Sequence, residues 1–200
     1  MRRLPLVLIP VAMAIALALG VFLWRLSDDL PGLGRVFGSG TPSIGAPFTL
    51  IDQDGRRRAS SDFAGRYMLI YFGYTYCPDV CPTTLALMDD ALAKLGPGAK
   101  RIVPIFITID PARDTPSQLK SYLKSFGPDF VGLTGSPQAL AKAAAGYRVY
   151  SRKHALPGGT YGMDHSSVIF LMGPDGKFVA YWDDTAIGPD GLAEDLRARL

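Results

Sequence analysis

The sequence predicts an α/β fold, a mixed central sheet flanked by helices. Two observations carry this. Dense apolar runs of strand length, Tyr67 to Tyr74 and Arg101 to Ile109, alternate with segments that open on helix caps and close on glycine and proline. Later in the chain, two strand-like runs, Ser167 to Met172 and Lys177 to Trp182, bracket the hairpin turn Gly173-Pro174-Asp175-Gly176. Strand–helix–strand units imply a parallel core, and the late hairpin adds antiparallel strands.

The elements follow in order. Phe48 to Ile51 is a short strand turned by Asp52-Gln53-Asp54-Gly55. The basic run Arg56-Arg57-Arg58 comes after that turn and reads as a solvated hairpin tip. After the strand Tyr67 to Tyr74, Pro82 to Leu95 is a helix stopped by Gly96-Pro97-Gly98. Beyond the strand Arg101 to Ile109, Thr115 caps and Pro116 opens a helix through Phe126, ended by Gly127-Pro128. Phe130 to Leu133 is a short strand. Ser136-Pro137 opens a third helix to about Ala145, and Tyr147 to Ser151 extends again. The hairpin precedes an amphipathic helix over Ile187 to Leu200. The order β-β-α-β-α-β-α-β-β-β-α is that of a thioredoxin-like fold with insertions.

The amino-terminal part has a different character. Leu4 to Trp24 carries no charge, and a bilayer core of about 30 Å needs about 20 apolar residues in a helix. Secretory apolar regions are shorter, about 7–15 residues, so residues 1–26 read as an uncleaved membrane anchor, with a signal peptide as the alternative. Arg2 and Arg3 ahead of the run place the amino terminus in the cytoplasm and the rest across the membrane, in bacteria on the periplasmic side. Residues 27–42, rich in glycine and proline, read as a flexible linker, and residues 43–200 as the folded domain. The formal charge of +3 comes wholly from Arg2, Arg3 and Arg25, since 18 basic and 18 acidic residues balance beyond Ser27. The pI near 8.9 is therefore no argument for a nucleic-acid partner, and none is expected.

The only two cysteines stand together as Cys77-Pro78-Asp79-Val80-Cys81, between a buried strand and a helix. Pro78 and Pro82 push each preceding cysteine out of helical geometry. Both sulfurs thus belong to a turn at a helix amino terminus, where unpaired N–H groups and the helix dipole stabilise thiolate. Three readings stay open for the pair alone. A static disulfide would close too short a ring to stabilise much. A redox dithiol is a second reading, although the familiar redox spacing has two intervening residues. A soft-metal site, for copper(I) or zinc, is the third.

Histidine is scarce, and His165 lies just before the strand that begins near Ser167. In a thioredoxin-like layout that loop lies beside the cysteine turn, so the imidazole can complete a trigonal site. Asp164 and Ser166 flank the ring and are placed to orient it. His154 reads as solvated and Met163 as a packing residue. In Asp110 to Pro116, Asp114 or Thr115 caps the following helix and Arg113 pairs with a nearby carboxylate.

With these residues in place, the chain resembles the SCO/SenC family of copper chaperones from about Ile44 to Leu200. The likeness is carried by the run Phe72 to Pro82, by Ile109 to Pro116, by Gly132-Leu133-Thr134-Gly135 and by Asp164-His165-Ser166-Ser167. Tyr76 before the first cysteine and Met163 before the Asp-His pair depart from the family's usual pattern. The resemblance implies a thioredoxin-like domain on a single membrane anchor. It implies copper held by Cys77, Cys81 and His165, as copper(I), copper(II) or both. It implies delivery to the dinuclear copper centre of cytochrome c oxidase during assembly, with the oxidase's copper-bearing subunit, other copper chaperones and thiol reductants as partners. The alternative it implies is a thiol-disulfide oxidoreductase, with Cys77 and Cys81 redox-active, reducing the subunit's copper-ligand cysteines.

Overall fold

The computed structural model describes residues 44–200 except Pro128, and upstream of them only Leu17 and Leu19. But for Leu17 and Leu19, the expected anchor over 1–26 and linker over 27–42 therefore fall outside the described residues. Among the described residues no helix is long and apolar enough to cross a membrane.

Among those residues nine strands form two sheets. They are β1 (Thr49–Asp52), β2 (Arg57–Ala59), β3 (Tyr67–Gly73), β4 (Ile102–Thr108), β5 (Val131–Thr134), β6 (Ser151–Ala155), β7 (Tyr161–His165), β8 (Val168–Met172) and β9 (Phe178–Asp183). The larger sheet runs β2-β1-β5-β4-β3-β8-β9, and β6 and β7 form a hairpin of their own. Four helices accompany them: α1 (Val80–Leu95), α2 (Pro116–Leu123), α3 (Pro137–Gly146) and α4 (Pro189–Arg197). The sheet is mixed, as expected. β3, β4 and β5 run parallel, whereas β8 and β9 return antiparallel beside β3.

The apolar character of β3 follows from its place at the middle of the sheet, with helices on both sides. Leu69 and Tyr71 face a cluster with Leu85 and Met88 of α1, Leu119 of α2 and Leu192 and Leu196 of α4. Met68, Ile70 and Phe72 face the opposite cluster with Leu140 and Ala143 of α3 and with Phe48 and Phe63. The buried residues of α1 recur at helical spacing, Cys81, Thr84, Leu85, Met88, Ala91, Leu92 and Leu95, so one stripe of the helix faces the sheet.

Several expectations are corrected. Only Asp52 to Gly55 forms the first turn; Arg57 and Arg58 lie in β2, paired to β1, and Arg58 Nε binds the buried Asp52 carboxylate at 3.0 Å. The extended segment after α3 is Ser151–Ala155, not Tyr147 to Ser151, because Tyr147 caps α3 by bonding three of its last carbonyls and buries its ring. The segment just before His165 is a strand, β7, rather than a loop. α2 ends at Leu123, three residues short of Phe126. Cys81 lies inside the first turn of α1, which begins at Val80. Pro82 does not delay that start, because its missing N–H would have lacked a partner in the first turn anyway.

Leu85→Ala should lower the stability of the domain by about 2–5 kcal/mol, since the side chain is fully buried between α1 and the sheet and its removal leaves a cavity. Urea denaturation checks this; an unchanged midpoint would show that the helix stripe contributes little.

Candidate metal and thiol site

Topology brings the distant histidine to the cysteines. The cysteine turn leaves the carboxyl end of β3. β8 runs antiparallel to β3, with Ile169 opposite Tyr71, so the residues entering β8 lie at that same end. His165 is among them. As a result Cys77 Sγ, Cys81 Sγ and a ring nitrogen of His165 all lie within 4.8 Å of one another.

Each group is held differently. Cys81 is fully buried on α1, its sulfur 3.5 Å from His165 Nε2 and 4.0 Å from the Tyr71 hydroxyl. The chain directly beneath it must be glycine: a Cβ on Gly73 would stand 2.8 Å from that sulfur and 2.9 Å from Phe106. Cys77 is half-buried in the turn, where its N–H donates to the Tyr74 carbonyl. Its sulfur accepts the Cys81 N–H at 3.4 Å. Asp79 stands at the helix cap position but its side chain makes no cap bond, so the Cys77 sulfur takes the role of a cap on α1. Both cysteines are free thiols.

The turn is fixed from below by Asp114. Its carboxylate, with no exposed surface, accepts from Thr75 N at 3.0 Å, from the Thr75 hydroxyl at 2.7 Å and from the Thr108 hydroxyl at 2.6 Å. Burial pushes the Asp114 carboxyl up from its ordinary value, against the pull of these hydroxyls. Thr115, as expected, caps α2 by accepting from Gln118 N.

His165 Nδ1 lies 2.9 Å from the Ser166 carbonyl, which leaves Nε2 facing the sulfurs. The ring is also boxed edge-on by Tyr71 and Tyr74, at 6.1 Å and 6.0 Å between centroids. Asp164 does not orient it. Side chains alternate along a strand, so Asp164 points away from the site and meets His154 Nδ1 at 3.0 Å and Arg152 at 3.5 Å. His154, expected to be solvated, is thus half-covered on the outer side of the hairpin. Its ring lies against Gly162, where a Cβ would stand 2.7 Å from it. Met163 packs against the apolar cluster that holds Cys81, in keeping with its expected role.

The two thiols are driven apart in acidity. The Cys81 thiol, donating to Cys77, lowers Cys77 to about 3; burial opposes this, and His165 and the N–H groups of Cys81 and Asp79 reinforce it. Cys81 is pushed up, first by its bond to the Cys77 thiolate and then by burial. Burial pushes His165 down, but the Cys77 thiolate, the Ser166 carbonyl and the Asp184 charge outweigh it and hold the ring above its ordinary value. Asp184 is itself raised, mainly by burial, with one oxygen on the Thr84 hydroxyl and, among the described residues, no partner for the other. A thiolate, a second sulfur and an imidazole nitrogen at this spacing are donors suited to a soft cation such as copper(I) or to zinc.

Ser166, expected to orient the ring, does so through its carbonyl, whereas sequence reasoning missed Tyr71 and Asp184. Nothing in the spacing points to them, since each acts through the fold.

The chain is similar to several known proteins. The copper-bound ScoI structure of Bradyrhizobium japonicum is 44% identical, with a TM-score of 0.73 over 78% of this chain and 99% of that one. The mitochondrial SCO1 homolog 1 of Arabidopsis thaliana is 39% identical over 80% of this chain and 49% of its own length. The chain spans about half the length of that relative. BsSco, described as a Sco-family cytochrome c oxidase assembly protein with a disulfide switch, is 26% identical, with a TM-score of 0.63 over 78% of this chain and 94% of that one. The SCO1/SenC family model matches residues 38–200, and the chain belongs to that family.

Proposed function

We propose that the domain carries one copper ion on Cys77 Sγ, Cys81 Sγ and His165 Nε2 and hands it to the dinuclear copper centre of cytochrome c oxidase during assembly. The observation that carries this reading is the convergence of the three donor atoms within 4.8 Å at the domain's edge. Copper supplies the cargo; the chain's own residues supply its capture and release. Cys77 meets the ion as a thiolate. Cys81 must give up its proton, which the neighbouring cation favours. His165 presents Nε2 because Nδ1 is engaged by Ser166. Cys77 is the more exposed sulfur, so it is the side from which a receiving protein's ligands can enter. In this reading residues 1–26 anchor the domain to a membrane, residues 27–42 tether it, and the domain faces the non-cytoplasmic side.

One observation favours a second reading. A half-buried thiolate beside a fully buried thiol is the arrangement of an attacking and a resolving cysteine. Cys77 would attack a disulfide between the copper-ligand cysteines of the oxidase subunit and form a mixed disulfide. Its attack releases one subunit sulfur as a thiolate; Cys81, losing its proton, would then attack Cys77 Sγ and displace the subunit sulfur still bound to it. The products are a Cys77–Cys81 disulfide and a reduced subunit.

Copper(I) titration of the reduced protein tests the first reading. Cys77→Ala, Cys81→Ala and His165→Ala should each weaken binding by at least about the 10–100-fold that loss of an outer-shell partner costs. Unchanged affinity and spectrum in His165→Ala would remove the histidine from the site. The thiols give a second expectation. A free thiol loses about tenfold of its thiolate per pH unit below about 8.5. With Cys77 at about 3, iodoacetamide labelling of Cys77 in the metal-free reduced protein should instead stay nearly flat from about pH 8 to about pH 5, with Cys81 unlabelled. A steep fall over that range would show that the thiolate is not held.

A further inference from the structure

His165 reaches the sulfurs from an element that the main sheet does not hold. β6 and β7 pair with each other, outside the seven-stranded sheet, so side chains tie this hairpin to the domain body. At the carboxyl end of β7 the ties are His165 itself and the packing of Met163. At the other end the contacts converge on one residue, Tyr161.

Tyr161 is gripped in three ways. Its hydroxyl donates to the Asp110 carboxylate, at 2.9 Å and 3.1 Å from the two oxygens. Its carbonyl accepts from Arg113 Nη1 at 3.0 Å. Its ring carries the Arg113 guanidinium 3.7 Å from its centroid, with Lys153 Nζ 3.4 Å from the same point. Arg113 and Asp110 are themselves an ion pair, and Asp110 is only 4% exposed. Charged hydrogen bonds and a cation against a ring are strong when half-buried in this way. The grip continues towards the site: Arg113 lies 4.7 Å from the ring of Tyr76, the neighbour of Cys77, and 5.7 Å from that of Tyr74, which boxes His165.

We infer that Asp110, Arg113 and Tyr161 form a latch that positions β7, so that closing it sets His165 Nε2 over the two sulfurs and opening it frees the histidine from copper. Tyr161 sits four residues from His165, about 13 Å along the strand. It touches neither sulfur, so it acts by position alone. Because Tyr76 is 54% exposed, a protein that covers Cys77 to receive copper also covers one side of the latch. The inference rests on the reading of His165 as a copper ligand.

Two measurements on the full chain in detergent test it. The first is hydrogen–deuterium exchange of the reduced, metal-free protein. The second is the rate at which the copper(I)-loaded protein surrenders its ion to the chelator bathocuproine disulfonate. In Tyr161→Leu, amides of residues 151–165 should exchange about tenfold faster while those of β3 and β4 are unchanged. Copper transfer should accelerate about tenfold, and Tyr161→Phe, which keeps the ring, should fall between. Combined with His165→Ala, Tyr161→Leu should add nothing further to transfer. The latch is overturned if hairpin exchange and transfer are both unchanged, if the hairpin loosens with no change in transfer, or if the acceleration persists without the histidine. If His165→Ala alone leaves transfer unchanged, the ligand assignment fails and with it the latch's hold on copper; hairpin exchange in Tyr161→Leu still tells whether the grip exists. Should Tyr161→Leu not fold, Tyr161→Phe and Arg113→Lys decide by the same two readings.

Discussion

The hydrogen bond between the two cysteines is the interaction on which the rest of the site depends. The Cys81 thiol, sunk in the core at the root of α1, donates to Cys77, and that donation makes Cys77 a thiolate. The thiolate in turn accepts the Cys81 N–H, completes the helix end that Asp79 leaves uncapped, and raises the pKa of His165 across from it. The bond between the sulfurs therefore sets the charge of both and contributes to that of the imidazole. Gly73 makes the burial of Cys81 feasible, since β3 has no side chain where the Cys81 sulfur lies.

Sheet topology supplies the second half. A parallel β3–β4 pair opens the cysteine turn at one end of the sheet, and an antiparallel β8 starts from the same end. Sequence neighbours of those ends, 84 residues apart for Cys81 and His165, become spatial neighbours. The polar β6–β7 hairpin then carries the histidine in from outside the sheet, and its hold on the body depends on Tyr161 and on the site itself.

Much of this was legible in the residues. β3, β4 and the β8–β9 hairpin are long apolar runs bounded by glycine and proline, and Thr115 and Ser136 cap α2 and α3 as their types suggest. The cysteine pair announced itself by scarcity and position. β2 was not legible, because three residues headed by two arginines carry no alternation and gain their place only by pairing with β1. β7 was hidden for a related reason. Its partner, Ser151 to Ala155, is polar and largely exposed, so neither strand shows the apolar period that marks a core element. The orientation of Asp164 away from the cysteines follows from that unseen strand. Tyr161 could not be found from spacing, since its partners Asp110 and Arg113 lie about fifty positions upstream and meet it only in the folded chain.

The buried carboxylate of Asp114 has a consequence for how the ion is exchanged. By tying Thr75 to β4 it keeps the two sulfurs in register before any cation arrives, so no chain entropy is lost there on capture. On the proposed function the site divides its work: a dithiol cradle that receives, and an imidazole whose placement by the latch decides how long the cargo stays.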